Sequence, residues 1–138
     1  MGGTYSGNPL ACVAAIETLK MISDPAFLDR ATQIGDRLRA GLMQLAETFP
    51  AIGDVRGLGP MLAIELVKDE QLTPDPDLTL ALTKAALAHG LIIIRAGLFS
   101  NCLRFLPPLT ITDDQVDEAL AVLGAAFADA TDATTDTN

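Results

Sequence analysis

Cys102-Leu103-Arg104-Phe105-Leu106 places a single cation in an apolar, strand-like run. Side chains alternate across a strand, so Arg104 points opposite to Leu103 and Phe105. A guanidinium there offers two parallel N–H donors, a fork that matches the carboxylate of an amino or oxo acid. The alternative is an arginine at the sheet rim paired with a nearby acid. Arg56, in Val55-Arg56-Gly57-Leu58-Gly59, has the same donors beside a glycine turn. A clamp on that turn is its favoured reading, with anion binding as the other. A third candidate is Gly2-Gly3-Thr4-Tyr5-Ser6-Gly7-Asn8. Successive backbone N–H groups there, with the hydroxyls of Thr4 and Ser6 and a helix N-terminus following, can cradle a phosphate. The segment is neither a Walker loop nor a dinucleotide fingerprint, because the lysine and the GxGxxG context are missing.

The remaining reactive side chains suggest less. His89 is the only histidine and falls at a helix end, where it interacts with terminal carbonyls rather than acting as a base. One histidine and no CxxC pair leave no ligand set for a transition metal. Lys68 and Lys84 read as solvated, and Lys20 as a capping or snorkelling residue. None of the three has the setting of a Schiff-base lysine, and no Ser-His or Cys-His arrangement occurs. Cys12 and Cys102 read as two buried, reduced thiols of a cytoplasmic chain.

Composition excludes whole classes of partner. Nine Lys and Arg against eighteen Asp and Glu give a formal charge of -9, the wrong sign for a nucleic-acid surface. Aromatic residues make up 4%, with no tryptophan, so base-stacking platforms are not expected. No apolar run reaches the roughly 18 residues of a membrane helix, and the start lacks the basic-then-apolar pattern of a signal peptide.

Residue periodicity supplies the elements that position these groups. Asn8-Pro9 opens a helix whose Leu10, Val13, Ala14, Ile16 and Leu19 form a face broad enough to predict burial. That face looks built to pack against something outside the chain. Asp24-Pro25 resets the chain, and Phe27, Ala31, Ile34, Leu38, Leu42 and Leu45 mark a second helix over about 26–49. Strands are expected at 52–56, 61–67, 91–95 and 101–106, with a loop over 68–77 and a helix over about 78–89 capped by Gly90. Thr112-Asp113-Asp114-Gln115 reads as a capping box that starts the last helix. From Asp129 the chain reads as a disordered tail. The order predicts an α+β fold, a mostly antiparallel sheet covered by helices.

Three segments carry a resemblance to a known family: 2–11 around Gly3-Thr4, Val55-Arg56-Gly57-Leu58-Gly59-Pro60-Met61, and Leu103-Arg104-Phe105-Leu106-Pro107-Pro108-Leu109. In this order and spacing they resemble the C-terminal third of class III aminotransferases, nearest to the 4-aminobutyrate branch. The resemblance covers 1 to about 128. It implies the small C-terminal domain of the type I pyridoxal-phosphate-dependent transferase fold, with 1–24 as the end of the large domain and its linking helix, 25–128 as the small domain and 129–138 as the tail. It implies pyridoxal 5'-phosphate as cofactor, a homodimer or a missing large domain as partner, and transfer of an amino group from 4-aminobutyrate or a related ω-amino acid to 2-oxoglutarate. Thr4, beside Gly3, would contact the cofactor phosphate of the other subunit, and Arg104 a substrate carboxylate. Val55–Gly59 would be a structural turn. The family's Schiff-base lysine lies upstream of Gly3-Thr4 and is absent here, so the chain is expected to be a piece of a transaminase and inert alone. The competing expectation is a non-catalytic α+β binding module.

Overall fold

A computed structural model describes residues 3–135, and the side chains through 131. The helix α1 (Pro9–Ile22) leads into α2 (Pro25–Thr48), followed by β1 (Ile52–Leu58), β2 (Met61–Leu66), α3 (Pro76–Ala88), β3 (Ile94–Ala96), β4 (Cys102–Phe105) and α4 (Asp113–Thr135). The four strands lie in the order β1-β2-β4-β3, and every neighbouring pair is antiparallel. The α+β architecture expected from the periodicity is the one found.

The pleat sorts the sheet into two faces. Leu62, Ile64 and Leu66 of β2 are buried together with Leu103 of β4, and the register sets Ile64 opposite Leu103 and Leu62 opposite Phe105. This face meets Ile34, Leu38 and Leu42 of α2, Leu78, Leu82 and Ala86 of α3, and Val116, Leu123 and Phe127 of α4 in one core. Phe127 is fully buried and stacks on Phe49 at 4.8 Å between ring centroids. Among the described residues no helix packs on the other face, which carries Asp54, Arg56, Ala63, Glu65, Cys102 and Arg104.

Side chains stop and start the helices as the sequence predicts. The Asn8 carboxamide oxygen accepts from the N–H groups of Leu10 and Ala11. Thr112 and Gln115 exchange the two bonds of a capping box, at 3.0 and 3.2 Å. Gly90, at φ +89°, ends α3 in a Schellman arrangement: Leu91 N–H donates to Ala86 O and Gly90 N–H to Leu87 O.

Boundaries differ where such bonds compete with the ladder. The strand expected over 91–95 begins only at Ile94, because the Leu91 N–H is spent on the α3 cap. Conversely, α3 begins at Pro76, inside the expected loop, since Asp75 caps it by accepting from Leu78 N–H. The helix α4 continues through Thr135, past the expected start of a disordered tail at 129. Ala130 is buried against the core, which holds that turn in place; 136–138 lie outside the described residues. The burial expected for α1 is not met within this chain. None of its residues is buried, and among the elements it meets only α2.

Charges on α2 fasten α4. Arg30 donates to Asp113 and to the Ile111 carbonyl, and Arg37 grips Asp117 through two nitrogens. The hydrogen bond from Arg37, and then its charge, hold the Asp117 carboxyl below the ordinary carboxylate range. A carboxyl depressed on folding stabilises the native state above its unfolded pKa, and that contribution is lost as pH falls through the folded value. Asp117→Asn is therefore expected to lower the urea midpoint at neutral pH, with the difference vanishing in acid below both values. Phe127→Ala removes a fully buried ring and is expected to cost about 3–5 kcal/mol in urea unfolding.

Candidate functional site

Arg104 stands on the helix-free face because β4 runs between β2 and β3 with Leu103 turned into the core. Its cross-strand partners are Ala63 on one side and Ile94 on the other, neither of which can accept a hydrogen bond from a guanidinium through its side chain. Arg104 is exposed and has no hydrogen bond or ion pair among the described residues. The rim arginine paired with a nearby acid is thus not what the structure contains.

Arg56, on the same face, is engaged through both terminal nitrogens. One terminal nitrogen contacts both Asp54, at 2.7 Å, and Glu65, while the other approaches the Cys102 sulfur at 3.5 Å. The two carboxylates push the guanidinium pKa further up, so the group is a permanent cation. The turn clamp favoured for Arg56 belongs instead to Arg39 of α2, which donates to Gly57 O at 2.6 Å and to Val55 O at 3.5 Å. One helical turn earlier, Gly35 lies against Gly59, and a Cβ added at Gly35 would come within 2.4 Å of the Gly59 carbonyl carbon. Arg39 stands off the apolar stripe of α2, so the periodicity of apolar residues gives it no role. The signal that was available is its i,i+4 spacing from the helical glycine, which marks a helix edge pressed against another backbone.

The 3–8 segment forms two successive turns, with Ser6 N–H donating to Gly3 O and Asn8 N–H to Tyr5 O. Thr4 is exposed, and neither its hydroxyl nor its N–H has a partner among the described residues. Because Asn8 takes the N–H groups of Leu10 and Ala11, the helix end has few donors left for an anion. Any phosphate held here would rely on the turn N–H groups and the Thr4 and Ser6 hydroxyls. Among the described residues, no hydrogen bond or ion pair links 3–8 to the sheet, so Thr4 and Arg104 are not brought together within this chain. Gly2 lies outside the described residues.

His89 caps α3 and bonds Asp129 of α4 at 2.8 Å. Lys20, Lys68 and Lys84 are exposed, and Lys20 pairs with Glu17. No cluster of His, Cys, Asp or Glu fit for a metal occurs among the described residues. None of the described helices is long and apolar enough to cross a membrane. Of the two cysteines expected to be buried, Cys102 is, but Cys12 is exposed because α1 has no partner over that face.

By its likeness to solved transaminases, this four-stranded antiparallel sheet backed by helices is the small C-terminal domain of the type I pyridoxal-phosphate-dependent transferase fold. A Bacillus anthracis aminotransferase shows the likeness in three dimensions: TM-score 0.84, 33% identity, 92% of this chain and 30% of that one. The family profile described as aminotransferase class-III matches residues 1–127, and the chain belongs to that family. The 4-aminobutyrate aminotransferase GabT of Escherichia coli is 46% identical over 131 residues, covering 94% of this chain and 31% of its own length. The 5-aminovalerate aminotransferase DavT of Pseudomonas putida is 40% identical over 129 residues, covering 94% of this chain and 30% of its own. The chain thus spans about a third of the length of the curated relatives it matches.

Burial separates the two thiols experimentally. A maleimide is expected to label Cys12 at once in the native chain, whereas Cys102 should react only on unfolding, as mass spectrometry of timed aliquots would show.

Proposed function

We propose that this chain serves as the substrate-closing domain of a pyridoxal-phosphate-dependent transaminase that moves the amino group of 4-aminobutyrate, or a related ω-amino acid, to 2-oxoglutarate. The observation that carries the reading is Arg104, an unpaired guanidinium on a helix-free sheet face. It takes a substrate carboxylate in its two-pronged fork and so fixes which end of the molecule faces the reacting centre. The free hydroxyl and N–H of Thr4, next to Gly3, suit a phosphate, and they would hold the cofactor phosphate of a second subunit in a homodimer. When bound, pyridoxal phosphate supplies a carbonyl that accepts the amino group and a ring that takes up the electrons left at the carbon losing its proton. The residues here bind and orient; none of the three exposed lysines offers the desolvated amine that such a reaction uses. The 138-residue chain alone is accordingly inert.

A graft tests this reading. Residues 1–128 replace the matching segment of the Escherichia coli relative, and 4-aminobutyrate:2-oxoglutarate transamination is followed. The chimera is expected to turn over, Arg104→Met to raise the KM for 2-oxoglutarate at least about tenfold, and Thr4→Val to weaken cofactor retention on dialysis. Full activity with normal KM in the Arg104→Met chimera would favour a non-catalytic binding module and sink the proposal.

A further inference from the structure

We infer that Arg56 is a positioning residue for Arg104: it holds Glu65 where that carboxylate cannot occupy the arginine meant for substrate. The inference rests on the reading of Arg104 as the carboxylate-binding group. Its basis is the register of the bare sheet face. One cross-strand row runs Arg56, Ala63, Arg104, Ile94, and the next runs Asp54, Glu65, Cys102, Ala96. Glu65 lies two residues on from Ala63, the common neighbour of both arginines, and opposite Cys102, two residues before Arg104. It is therefore diagonal to Arg56 and to Arg104 alike. Diagonal neighbours in an antiparallel sheet are about 7–8 Å apart, within reach of long side chains. By register alone, Glu65 has two arginines to choose from.

It bonds Arg56 and leaves Arg104 free. Two groups bias that choice. The side-chain nitrogen of the buried Asn101 donates to the other Glu65 oxygen at 3.2 Å and to the Leu66 carbonyl at 3.0 Å, anchoring the carboxylate over the β2 end of the face. Asp54 and the Cys102 sulfur fix the Arg56 guanidinium in place to receive it. With Arg56 present, the Asp54–Arg56–Glu65 group carries one net negative charge. Without it, two uncompensated carboxylates share a face with Arg104, and Glu65 becomes an internal competitor for the substrate. Arg56 touches no substrate in this scheme. It sets the affinity of Arg104 by keeping the wrong carboxylate occupied.

Structures of the full 138-residue chain test the switch without any reaction. In Arg56→Met, Glu65 is expected within salt-bridge distance of Arg104; Glu65 still held by Asn101 alone, with Arg104 free, would overturn the inference. Kinetics of the grafted enzyme test the consequence. Arg56→Met is expected to raise the KM for 2-oxoglutarate about threefold to fivefold, the worth of one partly exposed ion pair, with little change in kcat. Arg56→Lys keeps a cation on Glu65 and should hold KM near the parent value. Adding Glu65→Gln to Arg56→Met should bring KM back. A raised KM that Glu65→Gln does not reverse makes Arg56 merely structural and overturns the inference. If instead Arg104→Met leaves KM unchanged, it is the reading of Arg104 that falls, while the Arg56→Met structure still decides where Glu65 goes.

Discussion

The two-residue repeat of a pleated strand governs this domain, and β4 is where it matters most. As an inner strand, hydrogen-bonded on both edges, β4 cannot slip or tilt without breaking two ladders. Leu103, with no exposed surface, locks the phase of the repeat by filling the core between β2 and the helices. Arg104 must then emerge on the opposite face, wherever the rest of the molecule lies. A slip of one residue would bury a guanidinium and expose a leucine, an exchange costing several kcal/mol on either side. The chemistry is positioned by packing rather than by contacts of its own.

Around that fixed point, α2 works as a brace. Its apolar stripe fills the core, its Gly35 edge lets the β1–β2 hairpin loop come into backbone contact, and Arg39 ties down two carbonyls of β1. Its remaining arginines, Arg30 and Arg37, hold the start of α4. One helix thereby sets the position of the strand bearing Arg56 and Glu65's neighbour row, and of the helix that closes the core. Polar and apolar faces of α2 are both structural, although only the apolar one looks so in sequence.

Much of this was legible beforehand because it depends on local rules. Asn8, Asp24, Gly90 and the Thr112–Gln115 box each act within five residues, and alternation around Leu103 is likewise a property of five. The misjudged features depend on partners distant in sequence. Arg39 acts on carbonyls 16 and 18 residues away, and Arg56 pairs with an acid nine residues away across the hairpin. Asn101, which drew no attention, anchors Glu65 from 36 residues away. The α4 tail lacks large apolar residues, yet Ala130 is buried as part of the core. The exposed side of α1 shows the reverse: an apolar stripe read as buried that no described element of this chain covers.

The strand order has a consequence for the sequence of events in folding. Strands β1 and β2 are joined by two residues and can zip as a hairpin on the microsecond scale of such elements. Strand β2 must then wait for β4, some forty positions later, while α3 and β3 are laid down between them. Closing that long loop is the high-contact-order step, and it is the slow one. Strands β3 and β4 are separated by only five residues and can pair as a second hairpin, so an ensemble caught before that closure holds Arg104 on one hairpin and the Arg56 cluster on the other, without the shared face.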